Sequence, residues 1–193
     1  GITGLVAQAR GSNQNVEVSS ILVRGLIIAG IGGIGLITIH SMFFSAIFYF
    51  LGGNASAEKF AMQYMSIRVL AAPFAISMFV FVGWLFGMGK TFHSLCLLLA
   101  VNVLNILLDI IFVKFLYLGI AGVAYATILA EFFGFALGVY LCRESLFDKE
   151  QIKRRAIFLS NKWRPFILLN VDIVIRSTLL QSVFLSYLIF GTL

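Results

Sequence analysis

Between Arg24 and Glu58 the chain runs 33 positions without an Asp, Glu, Lys or Arg. That exceeds the roughly 20 apolar residues a helix needs to cross a hydrocarbon core about 30 Å thick. Only structures that satisfy their own backbone hydrogen bonds survive there, which means helices or closed barrels. The rest of the chain agrees, with 61% hydrophobic and 11% charged residues, against about 45–50% and 25% in soluble domains. So few charged side chains cannot cover a globule in water, and a soluble enzyme is excluded. Disorder is excluded as well, because it requires low hydrophobicity and high net charge.

Five segments qualify as spans, at 21–51, 60–88, 92–117, 119–141 and 167–193. The expected fold is therefore all-α, a polytopic transmembrane helical bundle. The first helix is expected to be long and tilted. The chain opens at Gly1 without an initiator methionine and stops at Leu193 inside an apolar run, so it is taken as a fragment, its fifth span unfinished. No signal-peptide pattern occupies the start. Cys96 and Cys142 are too few for a disulfide framework and are expected to be packing residues.

Orientation follows from lysine and arginine. Arg10, Arg24, Lys90, Arg143, Lys149, Lys153, Arg154, Arg155, Lys162 and Arg164 fall on one side of the spans, and Lys59 with Lys114 on the other. The positive-inside bias puts the first group in the cytoplasm. The net charge of +6 is then a topology signal, and no nucleic-acid partner is expected, since stacking aromatics are not interleaved with the basic residues. The polar interval from Glu144 to Pro165 is either a short interfacial helix or a solvated loop, with Pro165 in the first turn of the next span. It divides the chain into helices at 1–143, a connection at 144–165 and a last helix at 166–193. On the outer side, Asn54-Ala55-Ser56 matches a glycosylation acceptor, a triplet that would mean nothing in a bacterial inner membrane.

Lipid supplies no hydrophobic drive for helix association, so small residues that permit close backbone approach mark the packed faces. Gly122, Ala126, Ala130, Gly134 and Gly138 recur every four residues in the fourth span; Gly25, Ala29 and Gly33 do so in the first. Neither is a nucleotide loop, because no strand precedes it and no phosphate-binding lysine follows. Pro73 removes a backbone hydrogen bond inside the second span, which makes it either a functional hinge or a plain kink.

Ionisable groups within spans are functional candidates because burying them is costly. Asp109 leads. At 100° per residue, Asn102, Asn105 and Asp109 share an arc of about 60° on the third span, and Thr127 and Glu131 share a face of the fourth. Carboxylate, carboxamide and hydroxyl oxygens together suit a proton or a small hard cation such as Na⁺. The alternative is that they only bond one another as interhelical glue, worth roughly 1 kcal/mol per bond. Arg68 either snorkels outward or pairs with an acid on a helix outside this sequence. Asp172 and Arg176 are expected to form an intrahelical ion pair, and His40 to be a satisfied packing residue without metal partners. No catalytic Ser-His-Asp or Cys-His arrangement appears, and no cofactor is expected beyond the coupling ion.

The same residues carry a resemblance. The opening Gly1-Ile2-Thr3-Gly4-Leu5-Val6-Ala7-Gln8-Ala9-Arg10-Gly11 resembles the cytoplasmic loop after the second helix of the multidrug and toxic compound extrusion (MATE) transporters. Tyr64-Met65-Ser66-Ile67-Arg68 with Pro73, the run from Asn102 to Asp109, and Gly122 to Thr127 with Ala130-Glu131 resemble its fourth, fifth and sixth helices. Leu169 to Ser177 with Gln181 resembles the seventh, in the style of the DinF branch. The resemblance implies part of the amino-terminal lobe of a two-lobe, twelve-helix antiporter of the cell inner membrane. It implies export of cationic or amphipathic compounds in exchange for H⁺ or Na⁺. It also implies ion-coupling roles for Asn105, Asp109 and Thr127, with one further aspartate on a helix that has no counterpart here. The isolated piece is accordingly not expected to transport, its partners being membrane lipid, substrate and the missing helices. Two other readings stay open: a lipid-linked oligosaccharide flippase and a non-transporting structural subunit.

Overall fold

A computed structural model of the chain describes residues 1–51 and 55–147, and beyond them 163, 164, 166–168, 170, 171, 175 and 179–183. Asn54, Pro165, Asp172 and Arg176 lie outside the described residues, as does most of the polar interval after Phe147. Helix α1 covers Ile2–Gly11, α2 Asn15–Leu51, α3 Ala55–Arg68, α4 Ala72–Gly87, α5 Thr91–Asp109, α6 Gly119–Leu141 and α7 Arg143–Phe147. A 3₁₀ turn at Val69–Ala71 joins α3 to α4, and a π-helical segment at Ile110–Phe115 continues α5.

Among the described residues, four stretches are long and apolar enough to cross a membrane: Asn15–His40, Lys59–Gly87, Thr91–Phe115 and Gly119–Leu141. They match the first four expected spans. The expected fifth falls largely outside the described residues, and those of its positions that are described are helical. The first helix begins at Asn15 rather than position 21, because the polar residues before Ile21 extend the helix out of the apolar core instead of ending it. The opening segment is a further correction. Instead of a loop, Ile2–Gly11 is a helix packed on α2 and α4, with Val6 and Ala9 buried.

The turns show why the chain reverses where it does. After α4, Gly89 adopts φ +68°, and the amides of Gly89 and Lys90 donate to the carbonyls of Phe86 and Leu85, each at 2.9 Å. This is the left-handed cap that satisfies a helix's last carbonyls and favours glycine. Asn13, at φ 56°, does the same after α1, with Gln14 donating to Ala9 at 2.9 Å. The Arg10 guanidinium donates to the Met88 carbonyl and ties the two turns together.

The small-residue stripes lie where close approach was expected. Gly25, Ala29 and Gly33 are buried along α2; a Cβ at Gly25 would meet Val80 and one at Gly33 the backbone of Pro73, both on α4. On α6, Gly134 meets Met78 and Val101, and Gly138 meets the ring of Phe81. Thus α4 is clasped between the glycine faces of α2 and α6. The core around it holds Phe81, Trp84, Leu85, Leu22 and Leu97, all at most 1% exposed. The Trp84 indole N–H donates to the Val18 carbonyl at 3.0 Å, so its one polar atom is satisfied. By contrast, Leu99, Val103 and Ile106 of α5 are exposed, as a face turned to lipid requires.

Cys142 is buried at the end of α6, as a packing residue should be, whereas Cys96 is exposed on α5. Burial pushes the Cys142 thiol up to about 12, with Lys90 acting weakly in the other direction. Only the thiolate is nucleophilic. A maleimide at pH 7–8 is therefore expected to leave Cys142 unmodified in the folded protein and to label it after denaturation. Peptide mapping of the labelled chain checks this, and labelling in the native state would contradict the packed end of α6.

Candidate ion site between α5 and α6

Pro73 disturbs the second span in a defined way. In a regular helix its amide would donate to the carbonyl of Val69, and proline has none to give. The Ala72 amide takes that carbonyl instead, three residues back. The helix tightens into the 3₁₀ turn and restarts as α4 with the proline in its first turn, while the Pro73 carbonyl accepts from the Ser77 hydroxyl at 2.7 Å. Opposite, Gly33 presents bare backbone to Pro73.

A second irregularity lies in the third span. The α-helix ends at Asp109 and the backbone widens into the π segment, with Leu116 donating to Ile111 at 3.0 Å and Leu118 to Phe112 at 3.0 Å. Such widenings recur at functional sites in helices. Tyr117 at φ 54° and Gly119 at φ 55° then turn the chain into α6.

Of the expected polar residues, Asn105 and Thr127 meet at this junction with Asp109 one turn away, while Asn102 and Glu131 do not join them. The Asn105 amide donates to the Thr127 hydroxyl at 3.3 Å across the α5–α6 interface, and that hydroxyl donates to the Val123 carbonyl at 2.9 Å. Asp109 stands one helical turn beyond Asn105 on the same face. Its Oδ1 is buried and meets no hydrogen-bond donor among the described residues. Asn102 does not join them. It is exposed, and its amide donates to the Leu98 carbonyl of its own helix at 2.8 Å. Helix α6 does reach this level of α5, since a Cβ at Gly134 would meet Val101, but Asn102 itself is exposed and turned away from that contact.

Arg68 corrects the sequence reading most. It neither snorkels nor waits for an absent helix: its guanidinium forks onto Glu131, at 2.6 Å from Nη2 to Oε1 and 3.0 Å from Nη1 to Oε2. The two side chains are 30% and 14% exposed. Glu131 is thereby committed to α3 rather than to the Asp109 cluster. A cavity of about 410 Å³ opens beside the pair, lined by His40, Tyr64, Arg68, Val69 and Ala72 with apolar neighbours. His40 donates from Nδ1 to the Ile37 carbonyl at 2.5 Å, so it is a hydrogen-bonded wall of that cavity.

Comparison with known proteins decides the family. The MatE family model matches residues 1–111, more than half of the chain. The chain belongs to the MATE family. It is 31% identical over 196 residues to DNA damage-inducible protein F of Escherichia coli K12, covering 98% of this chain and 41% of that protein. It is 29% identical over 168 residues to the probable multidrug resistance protein NorM of Thermotoga maritima, covering 84% and 35%. Among solved structures it resembles an inward-facing multidrug resistance MATE transporter of the MOP superfamily, with TM-score 0.75, 26% identity, and coverage of 86% of this chain and 38% of that one. The family is one of membrane transporters, not of enzymes. The chain spans about two fifths or less of the length of each of these relatives.

Proposed function

We propose that this chain forms part of the amino-terminal lobe of a secondary active efflux antiporter, with residues 144–165 connecting to a second lobe that begins at 166. Asp109 is its coupling carboxylate, with Asn105 and Thr127 as neutral oxygen neighbours. The observation that carries the reading is the buried Oδ1 of Asp109, which among the described residues meets no donor, one turn from the Asn105–Thr127 hydrogen bond. Asn105 has its NH₂ engaged by Thr127, which keeps its carbonyl oxygen as an acceptor. A carboxylate beside such oxygens suits Na⁺, or a proton on the carboxylate itself. A buried charge that gains and loses its counter-ion can bias a two-state protein, because the ion stabilises one state over the other.

In the cycle we envisage, ion binding at Asp109 and binding of a cationic or amphipathic compound favour different states. The helices then move at Pro73, where the backbone already departs from α geometry. The relatives named for multidrug resistance support export of drug-like compounds. The test is efflux of ethidium from vesicles bearing the full-length transporter, under an imposed pH or Na⁺ gradient. Gradient-driven efflux is the expected result. Ethidium retention under both gradients would sink the reading and leave the flippase or the structural subunit.

A further inference from the structure

Arg68 closes α3 and leads into the 3₁₀ turn, so it stands at the hinge-like break. Its planar fork on Glu131 fixes direction as well as distance, which a lysine cannot do. Glu131 lies four residues after Thr127 on α6, one turn along the same face. The roll of α6 about its axis therefore decides two contacts together, Glu131 on Arg68 and Thr127 on Asn105. Side-chain tips lie about 5–6 Å from the helix axis, so a roll of ~20° carries them about 2 Å and parts the 3.3 Å contact between Asn105 and Thr127.

We propose that Arg68 is a positioning residue for the ion site: its grip on Glu131 sets the roll of α6 that holds Thr127 against Asn105 beside Asp109. Movement at the α3–α4 break is thereby transmitted to ion affinity. The inference rests on the ion-site reading above. A pair serving only as glue predicts something different, since its loss would lower stability without changing the ion dependence of transport.

The experiment measures ethidium efflux by the full-length transporter in liposomes against a series of imposed Na⁺ concentrations and, separately, pH steps. For Arg68→Ala, the ion concentration giving half-maximal efflux is expected to rise about tenfold, within the usual range of intersite coupling, with the rate at saturating ion retained. The swap Arg68→Glu with Glu131→Arg is expected to bring it back to within about threefold of the starting value. Should Arg68→Ala fail to fold, Arg68→Lys is scored instead, because it keeps the charge and loses the fork. An unshifted half-maximal concentration in the folded variant overturns the proposal, whatever its stability. If Asp109→Asn also leaves the ion dependence unchanged, the ion site itself is wrong and both readings fall.

Discussion

Asp109→Asn in the full-length transporter is expected to abolish ion-driven efflux while leaving expression and folding near those of the parent. The amide matches the carboxyl in shape but cannot release a proton or balance the charge of Na⁺. The buried Oδ1 position is kept, so the packing at the end of α5 has no reason to change. A neutral amide is also less costly than a carboxylate in low dielectric, so the variant has no folding penalty to confuse the result. The expected loss in gradient-driven ethidium efflux is at least about a hundredfold, because without a bindable ion there is no differential affinity to shift the two states. Efflux within a few-fold of the parent under both pH and Na⁺ gradients would remove Asp109 from the mechanism.

Gly33→Val is expected to be the most destabilising of the glycine substitutions, by about 3 kcal/mol, at the upper end of what overpacking ordinarily costs. A Cβ there runs into the N and Cα of Pro73. Backbone atoms of a proline cannot rotate aside, so α2 and α4 must part. At Gly25 the obstacle is the Val80 side chain, at 2.8 Å, which can shift its rotamer, and Gly25→Ala is expected to lose only about 1 kcal/mol. Unfolding in mixed micelles with increasing denaturing detergent ranks the two. Equal stabilities would mean that α2 does not approach α4 at Pro73 as closely as the structure has it.

The depth of side chains along their helices explains what was hidden. Arg68 and Glu131 lie about 14 and 18 Å into their spans from the same end, at 1.5 Å per residue. Matching those depths would have named the pair, had the adjacency of α3 and α6 been known. Sequence order gave no hint of it, because a helix tends to be placed beside its neighbours in the chain. Asn105 and Thr127 were easier to join, since they sit on consecutive helices separated by a tight turn.

The backbone irregularities differ in the same way. Proline has no amide hydrogen wherever it occurs, so a break near Pro73 was legible; that the Val69 carbonyl would be rescued by Ala72 in a 3₁₀ turn was not. The π segment after Asp109 has no proline or other residue that demands it. The burial of Val6 and Ala9 in α1 likewise depends on α2 and α4 offering a surface.

The sequence alone determined that the chain lives in lipid, that it is helical, where four of its spans lie, and which faces pack closely. Each follows from local chemistry, because an apolar run must satisfy its own backbone hydrogen bonds and a glycine stripe admits a neighbour wherever that neighbour comes from. Tertiary structure decided which polar groups meet: Asn105 with Thr127, Arg68 with Glu131, and Asn102 with the Leu98 carbonyl of its own helix. Those pairings depend on helix roll and order within the bundle, which are set by all the contacts together and by no single residue.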